Sequence, residues 1–196
     1  MPRSKSLTRT ILEPIAIALA LGLLARAAVH IYSIPSESML PTLVVGDQIV
    51  VTRYFGSGPE RGDIVVFRSD DELLVKLVIA VPGDLVDSRL GRVRIGGYTV
   101  PEPYVLREAA TGAISSQLVP PESYFVLGDN RDDSLDSRSF GFVARERIVG
   151  RARMILWSSQ VDTDDDRDDS ARAASAAPEA PVKSSARRTR LFKWLG

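Results

Sequence analysis

A lysine inside an apolar run is the residue of this chain whose chemistry is easiest to specify. Lys76 lies in LLVKLVI, residues 73–79, and it is the only lysine between the apolar N-terminal segment and the C-terminal tail. Burial penalises the charged form of an amine, so a lysine in such a strand readily loses its proton, whereas arginine stays protonated. A neutral amine in a dry site is a general base. The alternative is a lysine on the solvent-exposed face of the strand, where lysine is most often found.

Ser38 is the candidate nucleophile for this base. It lies in IPSESMLPTL, residues 34–43, and a serine hydroxyl is a weak nucleophile until a base removes its proton. The two prolines restrict the backbone to extended or turn conformations, which can present Ser38 rigidly. Ser36 lies two residues earlier on the same side, where a second hydroxyl could donate to a developing oxyanion. A proline-rich loop without catalytic function is the alternative.

A third polar segment, GDNRDDSLDSRSFG at residues 128–141, follows an apolar strand. Its acids suggest a calcium-binding loop, but Arg131 and Arg138 are interleaved with them, and the segment lacks the spaced pattern that ends in glutamate. We therefore expect a structural loop that is bridged internally.

Composition excludes several other chemistries. The 196 residues can hold one domain plus extensions. There is no cysteine, which excludes disulfides, thiol nucleophiles and cysteine–metal sites, and the single histidine, His30, excludes a histidine-rich metal site. We expect no metal and no cofactor. Basic and acidic residues both number 25, so no global basic field indicates nucleic acid as a partner.

The N-terminal segment predicts a membrane anchor. Residues 11–31 read ILEPIAIALALGLLARAAVHI, about the length that spans a bilayer. Arg3, Lys5 and Arg9 precede this segment without an acid, which indicates a cytoplasmic N-terminus. We expect residues 1–32 to form a cytoplasmic start and a single span of the plasma membrane, with the following domain extracytoplasmic. A cleavable secretory signal ending near Ala25-Arg26-Ala27 and a buried core helix are the alternatives.

Residues 33–160 predict a mostly β domain. Short runs rich in β-branched and aromatic residues alternate with turn signals, and no long amphipathic helix interrupts them. The predicted strands are residues 47–52, 63–67, 73–81, 85–87, 92–95, 98–100, 123–127 and 151–157, with a hairpin turn at Gly96-Gly97. A barrel or folded sheet is the expected class.

The amino-acid composition changes in the C-terminal part of the chain. Residues 161–186 are rich in Asp, Ala, Ser and Pro and cannot bury enough apolar surface to order themselves, which predicts a disordered linker. Residues 187–196, RRTRLFKWLG, are basic and aromatic. They suit a membrane surface or a docking site on the β domain, and a loose solvated tail is the alternative.

Three motifs in this order resemble the bacterial type I signal peptidases, which are membrane-anchored serine proteases with a Ser–Lys dyad. They are SIPSESMLPTL, the lysine-bearing strand that ends in PGD, and GDNRDDSLDSRSFG. The resemblance extends from the anchor to Trp157, and RRTRLFKWLG resembles an ending seen in the family. It implies the following roles: Ser38 as nucleophile, Lys76 as general base, Ser36 as oxyanion donor together with the Ser38 amide, Ser134 as the hydroxyl that orients the lysine, Asp136 and Arg138 as the pair that shapes the site, and Ile34, Leu43 and Val75 as the walls of shallow apolar substrate pockets.

The resemblance also implies a folded-sheet catalytic domain with a reduced accessory insertion at residues 91–121. The implied activity is removal of signal peptides from exported preproteins after small residues of the Ala-x-Ala type, with the lipid bilayer as a further partner. The chain departs from the family pattern in having Leu77 after the base, where arginine is frequent, and Glu37, where glycine is common. It also lacks the cysteine pair.

Three other functions remain open at this point. An inactive membrane-tethered β domain that binds exported proteins could keep the same fold motifs. A self-cleaving repressor-type protein shares Ser–Lys chemistry but would need a helical DNA-binding domain, and the sequence contains none. A Ser–His pair with His30 would require a histidine that lies in or near the predicted bilayer segment.

Overall fold

The first described element is a helix that leads directly into the β domain. The structure is a computed structural model that describes residues 7–70, 72–105, 111–158 and 191–194. Helix α1 covers Leu7–Ala28 and contains Pro14. Strand β1, Val29–Ser33, follows without a connecting loop. The segment that carries the candidate nucleophile, residues 34–43 and here called the nucleophile segment, is therefore only one strand away from the helix.

The N-terminal boundary differs from the one predicted. His30 and Ile31 belong to β1, which pairs antiparallel with β2, Gln48–Thr52. β-Branched and aromatic side chains suit a pleated surface, and ladder hydrogen bonds from β2 replace those of another helical turn. Among the described residues, no helix combines the length and the apolar character that crossing a bilayer demands. The predicted membrane anchor is not confirmed.

The main sheet is antiparallel, and its pairing order is open. Besides β1 and β2 it contains β3 (Ile64–Ser69), β4 (Glu72–Ala80), β9 (Ser123–Leu127), β10 (Val143–Ala144), β11 (Ile148–Trp157) and β12 (Leu191–Trp194). The order is β1-β2-β11-β3-β4-β9-β10, and β12 pairs with β11. A barrel requires its two edge strands to pair. Among the described strands β1 and β10 do not pair, so the barrel alternative is wrong, and the mostly β class with open antiparallel sheets is confirmed.

A second sheet is inserted between β4 and β9. It consists of β5 (Leu85–Arg89), β6 (Arg92–Ile95), β7 (Tyr98–Thr99) and β8 (Gln117–Leu118), in the order β7-β6-β5-β8. The turn between β6 and β7 is the predicted Gly96-Gly97, and both glycines have positive φ. The inserted sheet therefore begins at Leu85, six residues before the predicted accessory insertion.

Each of the eight predicted strands is present, with its ends within three residues of those predicted. The central strands β3, β4 and β9 carry apolar side chains on both faces, which is why they read as nearly continuous apolar runs. One core cluster contains Val66, Leu77 and Leu127, and a second contains Val65, Val78 and Val126. Strand β4, which carries Lys76, is thereby held rigidly in the interior.

The C-terminal segment joins the sheet. Strand β12 pairs antiparallel with β11, with Trp194 opposite Met154 and Leu191 opposite Trp157. Of the interpretations open for this segment, the pairing favours docking on the β domain. The predicted linker at residues 161–186 lies outside the described residues.

Candidate active site

The buried side chains of Ser38 and Lys76 meet at one hydrogen bond. Lys76 Nζ donates to Ser38 Oγ at 2.6 Å, across 38 residues of sequence. Only 2% of Lys76 and 8% of Ser38 is exposed to solvent. The alternative of a solvent-facing Lys76 is therefore wrong, because Ser38 lies over the face of β4 from which the Lys76 side chain projects.

Burial changes the proton affinity of this amine. Loss of solvation lowers the pKa of Lys76 to about 8, against the opposing attraction of the Asp136 and Asp129 carboxylates; Arg138 lowers it further. A substantial fraction of the amine is therefore neutral near pH 8. A neutral amine within hydrogen-bonding distance of a hydroxyl can act as its general base.

Ser36 presents a second hydroxyl to the nucleophile. Its Oγ lies 3.2 Å from Ser38 Oγ, and either oxygen can be the donor. Ser36 is exposed to solvent, whereas Ser38 is buried. The role of Ser36 as oxyanion donor stays a prediction.

The nucleophile segment is attached to the loop after β9 through its backbone. Asn130 N donates to the carbonyl oxygen of Ser38 at 3.1 Å, and Asn130 Nδ2 donates to the carbonyl oxygen of Glu37 at 3.3 Å. On the other side of Ser38, Met39 is buried in the larger core cluster. The sequence reasoning did not single out Asn130, because the carbonyl of Glu37 to which its side chain donates is distant along the chain.

Ser134 lies against Gly128 in the same loop. Its Oγ is buried and has no hydrogen-bond partner among the described residues. A Cβ built on Gly128 would lie 2.2 Å from Ser134 Oγ and 2.5 Å from the carbonyl oxygen of Ser38, so only glycine fits between them. The predicted role of Ser134 in orienting Lys76 stays a prediction.

Asp136, which is buried, forms an ion pair with the half-buried Arg138 that organises the loop. Asp136 Oδ1 accepts from Arg138 Nε at 2.8 Å, and Oδ2 accepts from Arg138 Nη2 at 2.9 Å and from Gly128 N at 3.0 Å. Asp136 also caps the short helix α2, Ser137–Phe140, by accepting from the Arg138 amide. The loop is bridged internally, as the interleaved charges predicted.

Arg131 connects this loop to the inserted sheet. Its Nε donates to the Gly128 carbonyl at 2.9 Å, its Nη1 donates to Thr111 Oγ1 at 2.8 Å, and its Nη2 donates to Glu102 Oε1 at 2.6 Å. Arg138 Nη1 reaches the same region, donating to the Thr111 carbonyl at 3.0 Å. The sequence reasoning did not assign Arg131 a partner, because Glu102 and Thr111 lie far from it along the chain.

The predicted pocket residues lie in the core cluster that also contains Met39. Ile34 and Leu43 are buried members of this cluster, and Val75 is half-buried and packs against the cluster. In sequence, Ile34 and Leu43 lie on either side of Ser38, and Val75 directly precedes Lys76. Their contact with substrate stays a prediction.

Comparison with known proteins places these residues in a family. A family model described as signal peptidase, peptidase S26, matches residues 7–157. The chain belongs to the signal peptidase family. The match spans both catalytic candidates, the inserted sheet and the polar loop after β9.

Several signal peptidases are similar over most of their length. The chain is 40% identical over 155 residues to signal peptidase I of Leptolyngbya laminosa, covering 73% of this chain and 75% of that protein. It is 39% identical over 154 residues to the probable signal peptidase I-2 of Synechocystis, covering 72% and 69%, and 34% identical over 146 residues to signal peptidase IB of Staphylococcus aureus, covering 64% and 76%. The crystal structure of a signal peptidase I from Enterococcus faecalis is 32% identical and covers 48% of this chain and 97% of that chain, with a TM-score of 0.43.

The structure places the two residues that depart from the signal peptidase pattern, Leu77 and Glu37, away from the contact between Ser38 and Lys76. Leu77, which follows the candidate base, is buried in the larger core cluster. Glu37, between the two serines, is exposed, and its carbonyl accepts from Asn130. Both positions leave the contact between Ser38 and Lys76 intact.

Proposed function

We propose that this signal peptidase family member is a membrane-bound serine endopeptidase that removes signal peptides from exported preproteins, with Ser38 as nucleophile and Lys76 as general base. The observation that carries the proposal is the 2.6 Å hydrogen bond between the two buried side chains. A buried lysine paired with a serine hydroxyl has little structural benefit, because an apolar side chain would fill β4 without a desolvation penalty.

Acylation begins with neutral Lys76. Its lone pair accepts the proton of the Ser38 hydroxyl, and Ser38 Oγ attacks the scissile carbonyl carbon. The negative charge that develops on the carbonyl oxygen is held by the Ser36 hydroxyl and the Ser38 N–H. The Lys76 ammonium then protonates the leaving amine, which completes the acyl-enzyme and returns the base to its neutral form.

Deacylation uses the same groups. Neutral Lys76 takes a proton from a water molecule, whose oxygen attacks the ester carbonyl of the acyl-enzyme. The same two donors hold the second oxyanion. Collapse of this intermediate returns the proton to Ser38 Oγ and releases the carboxylate end of the signal peptide.

The surrounding residues set the geometry of the dyad. Ser134 has a buried hydroxyl with no partner among the described residues, and an unsatisfied buried hydroxyl carries a desolvation penalty. In this proposal that hydroxyl orients Lys76 during the reaction. Asp136 and Arg138 hold the loop that carries Ser134, while Ile34, Leu43 and Val75 form shallow apolar pockets that favour small residues before the cleaved bond.

Membrane attachment is part of the same proposal. Residues 11–28 of α1 form the anchor, and the basic residues before them keep the N-terminus in the cytoplasm. The β domain then lies on the extracytoplasmic side, where exported preproteins emerge. The exposed apolar side chains of α1, among them Ile11, Leu12, Ile17 and Leu19, support contact with lipid.

Preprotein cleavage by the full chain in detergent micelles tests the proposal. The wild type and the control Ser139→Ala, an exposed serine of the polar loop, should cut after a small residue. Ser38→Ala and Lys76→Met should retain the fold and lose cleavage. Cleavage by Ser38→Ala would overturn the dyad, and a wild type that binds preproteins without cutting them would identify an inactive tethered domain.

A further inference from the structure

Asn130 binds the two peptide units that flank the candidate nucleophile. Its backbone N donates to the carbonyl oxygen of Ser38 at 3.1 Å, and its side-chain Nδ2 donates to the carbonyl oxygen of Glu37 at 3.3 Å. The first carbonyl belongs to the peptide unit after the Ser38 Cα, and the second belongs to the peptide unit before it. A single residue of the loop after β9 therefore holds the backbone on both sides of Ser38.

The backbone that carries Asn130 is itself anchored. The carbonyl oxygen of Asn130 accepts from Asp133 N at 3.2 Å, which makes Asn130 the first residue of a turn, a position that asparagine favours. Two residues earlier, Gly128 N donates to the buried carboxylate of Asp136 at 3.0 Å. The side chain of Asn130 is half-buried, so its amide extends from a fixed loop toward the nucleophile segment.

The carbonyl oxygen of Glu37 accepts a second hydrogen bond. Leu40 N donates to it at 3.1 Å and closes a turn over residues 37–40. A carbonyl oxygen has two lone pairs, and here each has a donor. The side chain of Glu37 is exposed to solvent, so hydrogen bonds, and not packing of that side chain, fix the orientation of this peptide unit.

The carbonyl of Glu37 and the N–H of Ser38 belong to the same peptide unit, which is trans. In a planar trans peptide the C=O and N–H bonds point in opposite directions. Fixing the direction of the Glu37 carbonyl therefore fixes the direction of the Ser38 N–H. A hydrogen bond to the carbonyl also polarises the peptide unit, which strengthens its N–H as a donor.

We propose that Asn130 is a positioning residue for oxyanion binding: its side-chain amide orients the Glu37–Ser38 peptide unit so that the Ser38 N–H donates to the oxyanion. The inference rests on the proposed function of the Ser38–Lys76 pair, in which that N–H is one of the two oxyanion donors. Asn130 acts through the peptide unit and not on the substrate. A donor that is oriented before the reaction stabilises the developing charge without a cost of reorganisation.

The substitution Asn130→Ala removes the amide and keeps the backbone N that holds the Ser38 carbonyl. We expect kcat to fall about tenfold with little change in KM, because the oriented donor acts in the transition state. The loss should be smaller than the roughly 10²–10³ of a missing donor, since Leu40 N still holds the Glu37 carbonyl. Asn130→Asp, which has nearly the same shape but an ionised side chain that only accepts hydrogen bonds, should lose at least as much.

A pair of peptide ligands separates oxyanion binding from pocket shape. In a peptide aldehyde that ends in Ala-x-Ala, Ser38 Oγ adds to the aldehyde carbon, the Ser38 proton passes to Lys76, and the aldehyde oxygen becomes the oxyanion. The corresponding peptide alcohol occupies the same pockets and forms no adduct. Asn130→Ala should bind the aldehyde about tenfold more weakly and the alcohol with unchanged affinity, because only the adduct resembles the transition state. A merely structural role would weaken both ligands alike and would overturn the proposal.

These measurements use the full chain in detergent micelles. Asp132→Ala is the matched control, because it truncates an exposed side chain of the same loop, and it should keep the wild-type kcat and both affinities. Thermal unfolding checks the fold of each variant, and Asn130→Asp provides the test if Asn130→Ala is unstable. Wild-type kcat and aldehyde affinity in the folded Asn130 variants would overturn the positioning role and leave the dyad intact. Cleavage by Ser38→Ala would instead refute the proposed function.

Discussion

Gly128 touches Ser38 through its backbone: a Cβ on Gly128 would lie 2.5 Å from the carbonyl oxygen of Ser38. The same Cβ would lie 2.2 Å from Ser134 Oγ. The nucleophile segment and the loop after β9 thus meet at a point where no side chain fits. The position of Ser38 relative to Lys76 depends on this close contact.

Gly128→Ala should therefore impair catalysis more than stability. Overpacking of a tight contact costs about 1–3 kcal/mol, whereas a displacement of about 1 Å at a reacting group can lower the rate about 10²-fold. Both kcat/KM and the thermal unfolding temperature are measured for Gly128→Ala and for the control Gly22→Ala. A Cβ added at Gly22 would have nothing within 4 Å. Wild-type kcat/KM in Gly128→Ala would contradict the proposed arrangement.

Lys76→Arg should be as inactive as Lys76→Met. Arginine keeps its proton at every pH at which the protein is folded, so it cannot accept one from Ser38. In the wild type, kcat/KM should rise with pH through about 8, because the reactive form is the neutral amine and burial lowers the pKa of Lys76 to that value. Preprotein cleavage measured across this range checks both statements. Turnover by the arginine variant, or a flat profile, would count against the base.

Ser36→Ala should lower kcat by about 10²–10³ with little change in KM, as loss of one oxyanion donor does. The reason is the 3.2 Å separation of Ser36 Oγ and Ser38 Oγ, which puts the second hydroxyl beside the attacking atom. Steady-state kinetics of Ser36→Ala and of Ser36→Thr, which keeps a hydroxyl, separate an effect on kcat from an effect on KM. A change confined to KM would show that Ser36 only helps to bind substrate.

Arg131→Met should destabilise the junction between the two sheets by about 3–5 kcal/mol, because it leaves Glu102 buried without its partner. The double variant Arg131→Met/Glu102→Met removes both charges and should recover part of this loss. Urea unfolding of both proteins measures the difference, with Arg89→Met as an exposed control on β5. Equal stability of the single and double variants would contradict the pairing.

Local patterns along the chain were sufficient to predict much of the fold. The apolar run around Lys76 predicted β4, and Gly96-Gly97 predicted the turn between β6 and β7, because side-chain alternation and turn residues act over a few positions. The interleaved acids and arginines of residues 128–141 likewise predicted an internally bridged loop. The three motifs, taken in order, indicated the family that the comparison over residues 7–157 shows.

Contacts between distant parts of the chain were decided by the tertiary structure. His30 and Ile31 read as the end of an apolar helix, yet pairing with β2 makes them part of a strand. The sequence does not show that Gly128 must be free of a side chain, because this depends on how the loop after β9 packs against the nucleophile segment. The residue types of Ser38 and Lys76 set the available chemistry, and long-range burial and pairing bring the two side chains to 2.6 Å.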